Sequence, residues 1–487
     1  MNVKDFPQIK GCMSKLNALG LSGEQSLEQC INMVPFAGPT ACMPRPVVLK
    51  SIQKEIKASR ALSRGDIRLA TAMGLINADT NSTIGFNDGI FYPPSDISAG
   101  PSLNMSPSKM LSMASTKKNL HAIALMVDFS DNKGSRPAAD FQRLLFDSSN
   151  PNSMTSYYAE LSKGMLSVTG EVVGYVRAPK PYSFYTNSES GTGNNYPNNT
   201  PGLLVDALTE FCKTDNLKRF DTDNDGYVDG IFLIHAGGGA EAEGDPLKRP
   251  HMIWSHKWTL PTPFSNQGVK VFAYSTEPED GRVGVFAHEF GHVLGLPDLY
   301  DTTYRTRGVG DWCLMGGGSW GGNGNNPTRM SCWCLSKLGW IQPQVVKSPI
   351  TAQIDTLAND SNACYRLWDG GKKESEYFLI ENRQTVGQDS ALSGAGLAIW
   401  HIDETQSSNT NPLSYWVGLV QADGKKDLEN NRNSGEAGDL FPGSSNVTSI
   451  DDSSNPSTRS NGGTSTGVSI TKIKNSANGI ISINVKV

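Results

Sequence analysis

The run Ala287-His288-Glu289-Phe290-Gly291-His292-Val293-Leu294-Gly295-Leu296-Pro297-Asp298 constrains this chain more than any other stretch of it. On a helix of 3.6 residues per turn, positions i and i+4 lie about 40° apart on one face. His288 and His292 can therefore converge on one metal ion, with Glu289 beside that face. The spacing predicts a helix over about Val283 to Leu294 that holds a cation. A catalytic zinc takes three protein ligands and keeps one position for water, so two histidines leave the set one short.

The residues that follow supply a third. Gly295 can adopt the positive φ that ends a helix sharply, and Pro297 stops the helix from continuing. The chain then turns back and delivers Asp298 to the metal. Asp301 is the alternative carboxylate, but the interval from Gly295 to Asp298 suits the turn better. The pattern H-E-x-x-H-x-x-G-x-x-D departs from the commoner metzincin spacing, which closes on a histidine; an anionic ligand leaves the metal a weaker Lewis acid. Downstream, Gly310-Asp311-Trp312-Cys313-Leu314-Met315-Gly316-Gly317-Gly318-Ser319-Trp320 is a glycine-rich turn in which Met315 can form a soft apolar floor under the imidazoles, a support and not a ligand. A lone H-E-x-x-H arises by accident in many proteins, and so does a glycine-rich loop with one methionine. Their joint order is what assigns metal chemistry.

Several segments resemble the immune inhibitor A family of zinc metalloproteases. They are Ile253-Trp254-Ser255-His256-Lys257-Trp258, Val285 to His292, Leu296-Pro297-Asp298-Leu299-Tyr300-Asp301 and Leu314 to Trp320, together with Asp221 to Gly230 and the strand after it. The likeness runs through about Asn119 to Trp340 and continues more weakly in Tyr377 to Arg383 and Gly396 to Asp403. It implies a secreted endopeptidase with zinc, structural calcium and a metzincin-like fold, and an N-terminal segment that acts as a propeptide over the cleft. The residue chemistry reaches zinc hydrolysis by itself, but not the protein substrate. In that chemistry zinc on His288, His292 and Asp298 acidifies a bound water, and Glu289 takes its proton as general base.

Asp221-Thr222-Asp223-Asn224-Asp225-Gly226-Tyr227-Val228-Asp229 has oxygens at alternate positions 1, 3 and 5, a glycine at 6, a backbone carbonyl at 7 and a carboxylate at 9. Asp221, Asp223, Asp225, the Tyr227 carbonyl and Asp229 could wrap one structural calcium. Phe232 stands at position 12 in place of the bidentate glutamate, which argues against a sensor EF-hand. The bland alternative is a solvated acidic turn. His235, His251 and His256 lie in the same region; His256, between Trp254 and Trp258, is the candidate for substrate contact, against an ordinary half-buried histidine.

The chain has 487 residues, too many for one ordinary core. Three regions are expected: 1–113, a propeptide-like segment ending in a Pro/Ser/Gly/Met-rich linker from Pro93 to Ser115; 114–345, the α+β zincin catalytic domain; and 346–487, a β-sandwich-like domain of short alternating strands. Net charge is −5 with no basic block, which argues against nucleic acid as a partner, and no apolar run is long enough to span a bilayer. Protein or peptide substrates are the expected partners; oligomeric state is not legible. The opening Met1 to Pro7 lacks the apolar stretch of a secretory signal, so export rests on the resemblance. Eight cysteines suffice for four disulfides, and one pair among Cys313, Cys332 and Cys334 is placed to staple the active-site turn. Cys42, in Ala41-Cys42-Met43-Pro44-Arg45-Pro46, offers a thiolate as an inhibitory fourth zinc ligand; a disulfide or a buried thiol is the plainer reading.

Two other functions fit the same residues. A zinc amidase acting on non-protein substrates would use the same metal set, and an adhesive binding protein could carry a protease core that its N-terminal segment keeps covered. The complete ligand set and Glu289 argue against a disused core in the second case.

Overall fold

The run Leu120 to Val127 is nearly continuous in apolar side chains, the pattern of a strand covered on both faces. In the computed structural model, which describes residues 40–60 and 119–487 except Asp223 and Asp225, this run lies inside a six-stranded sheet. The elements that build it are strand β1 (Thr40–Ala41), helix α1 (Pro46–Arg60), β2 (Asn119–Asp128), α2 (Ala138–Leu145), α3 (Met154–Leu161), β3 (Ser167–Arg177), α4 (Tyr182–Thr186), α5 (Thr200–Phe211), β4 (Ile231–His235), β5 (His256–Asn266), β6 (Val269–Pro278) and α6 (Val283–Val293). The order across the sheet is β1-β5-β6-β4-β2-β3. Strands β3, β2, β4 and β6 run parallel, β5 turns back antiparallel to β6, and β1 pairs antiparallel on the far side of β5.

Alternation sorts the two faces. Ala122, Ala124, Met126, Phe232 and Ile234 pack with α2, α3 and α6, whereas Ile123, Leu125, Val127, Ile231 and Leu233 pack with α5. The flanking helices begin where their caps allow: Ser153 accepts from the Ser156 amide at α3, and Asn199 from the Gly202 amide at α5, with Pro201 in the first turn.

Beyond α7 (Cys332–Lys337) come β7 (Gln344–Val345), β8 (Ile350–Ile354), β9 (Cys364–Leu367), β10 (Glu376–Arg383), β11 (Gly396–Asp403), β12 (Val417–Leu419), β13 (Ser469–Asn475) and β14 (Ile481–Lys486). They form a five-stranded sheet, β12-β11-β10-β9-β7, and a three-stranded one, β13-β14-β8. The first is joined to the catalytic region by one continuous core in which Phe378, Ile380 and Trp400 belong with Phe286, Phe290 and Met315. Arg383 of β10 reaches across this junction. It is buried, grips Asp389 through Nε and Nη2 at 2.7 and 2.6 Å, and donates through Nη1 to the Trp312 carbonyl at 2.8 Å.

All six described cysteines are free thiols, so the stapled turn expected from the sequence is not closed here. Cys12, Cys30 and the linker from Pro93 to Ser115 lie outside the described residues. No helix among the described residues is long and apolar enough to cross a membrane.

Candidate metal centre

Helix α6 is buried from Val283 to His292, so its composition shows no polar face at all. It ends as its sequence requires. Gly295 has φ +95°, and the Gly295 and Leu296 amides donate back to His292 O and Gly291 O, both at 3.0 Å. The turn carries Asp298 back over the helix. Beneath lies Met315, so close that a Cβ on Gly291 would come within 2.6 Å of its Sδ. The Leu299 amide donates to Met315 O at 2.8 Å, which ties the returning chain to the floor.

Three ligand atoms meet above that floor. Nε2 of His288 lies 3.1 Å from Nε2 of His292, and Asp298 Oδ1 is 3.0 Å from the first and 3.3 Å from the second. His288 Nδ1 faces Leu314 O at 3.0 Å, and His292 Nδ1 faces Leu296 O at 2.7 Å. A carbonyl only accepts, so each Nδ1 carries the proton and each Nε2 presents a bare lone pair. Two lone pairs and a carboxylate oxygen at this separation repel unless a cation sits among them. Ligand atoms bound tetrahedrally at zinc distances of about 2.0–2.2 Å stand roughly 3.3 Å apart, so the set fits zinc. Burial pushes the His292 pKa down, which keeps the ring in the neutral form that ligation requires.

Glu289 is fully buried beside them, and neither carboxylate oxygen makes a well-formed hydrogen bond among the described residues. Burial pushes its pKa well up, with the carboxylates of Glu277, Asp298 and Glu241 adding to the effect and the Lys257 backbone amide opposing it. Asp301, the alternative ligand, is committed elsewhere: Oδ1 accepts from the Thr303 amide at 2.8 Å and Oδ2 from the Thr306 amide at 3.0 Å. Among the described residues His288, His292 and Asp298 gather into a fully buried group that could hold a metal; Asp423, Glu436 and Asp439 form a second, less buried one.

The N-terminal piece lies over this site. The Cys42 amide donates to Ser255 O at 2.9 Å, extending the β1–β5 pairing, and three side chains hold the next carbonyls. Tyr300 Oη donates to Ala41 O at 2.6 Å, Trp254 Nε1 to Cys42 O at 2.9 Å and Trp320 Nε1 to Met43 O at 2.6 Å. The Cys42 thiol is buried, and burial together with the nearby Glu289, Glu241 and Asp298 carboxylates pushes its pKa well up. It lies outside the three-ligand group. Tyr300, Trp254 and Trp320 were all in the motif segments, but their donor role needed the strand they grip.

His256 is not at the cleft. On β5 it points to the α5 side of the sheet, where Nδ1 meets Trp254 O at 2.6 Å and Nε2 meets Thr200 Oγ1 at 2.8 Å. Its neighbour Lys257, one position on and so on the opposite face, is the residue that feels the Glu289 charge. In the acidic loop, Asp223 and Asp225 lie outside the described residues. Asp221 Oδ2 accepts from the Gly226 amide at 3.1 Å, Asp229 Oδ2 accepts from the His121 amide at 2.8 Å, and Tyr227 forms a bridge to Lys270. These contacts hold the loop to β2 and β6 and do not support calcium.

Residues 111–344 match the family model described as the immune inhibitor A peptidase M6 catalytic domain. Immune inhibitor A of Bacillus thuringiensis subsp. alesti is 36% identical over 218 residues, covering 38% of this chain and 32% of that protein. The pre-pro-metalloprotease PrtV of Vibrio cholerae serotype O1 (strain M66-2) is 32% identical over 271 residues, covering 45% of this chain and 29% of that protein. The chain thus spans about a third of the length of these curated relatives.

Proposed function

We propose, from the premise that residues 111–344 are a peptidase catalytic domain of the immune inhibitor A kind, that this chain is a zinc-dependent endopeptidase. The observation that carries the reading is the convergence of two unprotonated Nε2 atoms and one carboxylate oxygen beside the buried Glu289.

His288, His292 and Asp298 would hold zinc, which would supply Lewis-acid chemistry: an acidified water and a polarised scissile carbonyl. Glu289 takes the proton of the attacking water at its carboxylate and later gives it to the leaving amine. Leu314 O and Leu296 O hold the imidazoles in one tautomer, and Met315 fixes their height. We read the helix, the turn at Gly295 and the methionine floor as a metzincin-like arrangement, and the C-terminal sheets as a sandwich-like brace.

The strand Thr40–Ala41 and the residues after it supply a latent form. An extended segment that adds to the β5 edge beside the metal ligands occupies the place a substrate strand would take. Export fits a peptidase kept covered until its leader segment is released; the Vibrio relative is named a pre-pro-metalloprotease.

Mass spectrometry of a casein-like protein digest, with and without a chelator, tests the reading. Internal cleavages that vanish with chelator and return with zinc are expected. Cleavage confined to cell-wall peptides would move the chain to the amidases. Tight binding without cleavage, after the leader segment is released, would favour the adhesive protein.

A further inference from the structure

Two buried thiols stand together at the edge of the metal centre, and neither takes part in the proposed chemistry. Cys313 belongs to the turn that carries the methionine floor, two residues before Met315; Cys334 lies on α7. Their sulfurs are 3.8 Å apart, although the residues are 21 positions apart in sequence. Both are buried and both are free.

We propose that Cys313 and Cys334 are a disulfide-forming site that locks the methionine turn to α7. A disulfide needs its sulfurs at about 2.05 Å, so closure asks for side-chain rotation of a pair already in contact. Ser331 touches both sulfurs: its amide donates to Cys313 Sγ at 3.3 Å, and its Oγ lies 3.4 Å from Cys334 Sγ.

The co-reactant is a small-molecule disulfide of the oxidised-glutathione class. One of the two cysteines, as its thiolate, attacks one of the co-reactant's sulfurs and expels a thiol. The other then gives up its proton, attacks the cysteine sulfur of the mixed disulfide and expels a second thiol. Two protein thiols lose two protons and two electrons, and the co-reactant gains them. Since both sulfurs are buried in the folded chain, the exchange takes place during folding, before the turn closes on α7.

The test uses the full chain, unfolded and refolded either in a mixture of oxidised and reduced glutathione or under reductant alone. Differential alkylation and peptide mass spectrometry should find Cys313 linked to Cys334 only in the first sample, about 2 Da below the two separate thiol peptides. Its Tm should be higher by roughly 5 °C, since the link closes a loop of the denatured chain. Cys334→Ser should lose both the link and the shift while keeping its metal content. Full alkylation of both cysteines after oxidative refolding, or a link from either one to a different cysteine, would overturn the proposal. The readout is a mass, so its failure is distinct from any failure of the peptidase reading.

Discussion

Asp298 Oδ1 stands 3.0 Å from Nε2 of His288, although ten positions and a helix terminus separate the two residues. The approach depends on Gly295 at φ +95°, a left-handed conformation that other residues adopt only at a cost of about 1–2 kcal/mol. Helix end and ligand set are therefore one device: the break in α6 is what completes the metal site.

Glu289→Gln keeps the shape of the buried side chain and removes its ability to take a proton. Metal content should be unchanged and peptide turnover should fall by roughly 10²–10⁴-fold, which parallel metal analysis and peptide-cleavage kinetics would check. Near-normal cleavage by this variant would exclude the general-base role.

The two carboxylates after the helix should separate cleanly. Asp298→Asn is expected to lower zinc affinity at least about tenfold, because an amide oxygen is a poorer zinc ligand than a carboxylate. Asp301→Asn should keep the metal and cost stability, since Asp301 accepts from the Thr303 and Thr306 amides. Competition with a chromophoric zinc chelator measures the first, and thermal unfolding the second. Equal zinc loss in both variants would contradict the assignment.

The buried pair Arg383–Asp389 offers a stability prediction away from the metal. Asp389→Ala leaves a guanidinium fully buried with only backbone carbonyls and the more distant Glu381 to answer it, and should cost about 3–5 kcal/mol. Replacing both residues by apolar ones of similar volume should recover much of that loss. Denaturant unfolding of the single and double variants provides the comparison.

Burial raises the Asp311 pKa to about 7, with Arg307 opposing the shift. A carboxyl whose folded pKa lies above its unfolded value contributes stability that is fully present below the unfolded pKa, near 3.8, and is lost as pH rises through about 7. The Tm of the wild-type chain should therefore fall between about pH 4 and pH 7 more than that of Asp311→Asn, whose side chain does not ionise. Parallel pH profiles of Tm in the two proteins would contradict this.

The convergence of His288, His292 and Asp298 was legible in sequence because it is local: helix period, glycine stop and returning carboxylate lie within eleven residues, His288 to Asp298. The parallel strands and their helices were legible from the same kind of periodicity, as in the apolar run that became β2. The hairpin of β5 and β6 was not, because Pro261 and Pro263 interrupt the first strand, where the pairing register slips. Without that hairpin, nothing fixed which face His256 takes, and it turned to Thr200 in the core. The cover over the site was hidden for another reason. Ala41 pairs with His256 across more than two hundred positions, and no local pattern encodes such a contact. In the acidic loop, oxygens suited to a cation serve equally well as acceptors for backbone amides, and Asp229 accepts from the His121 amide.

The central claim is that His288, His292 and Asp298 hold a zinc ion on which hydrolysis depends. Anomalous diffraction at the zinc absorption edge, on crystals of protein whose peptidase activity has been measured, tests it most directly. The account predicts one strong anomalous peak among Nε2 of His288, Nε2 of His292 and Oδ1 of Asp298. Fully active protein with no anomalous signal at that position would contradict it.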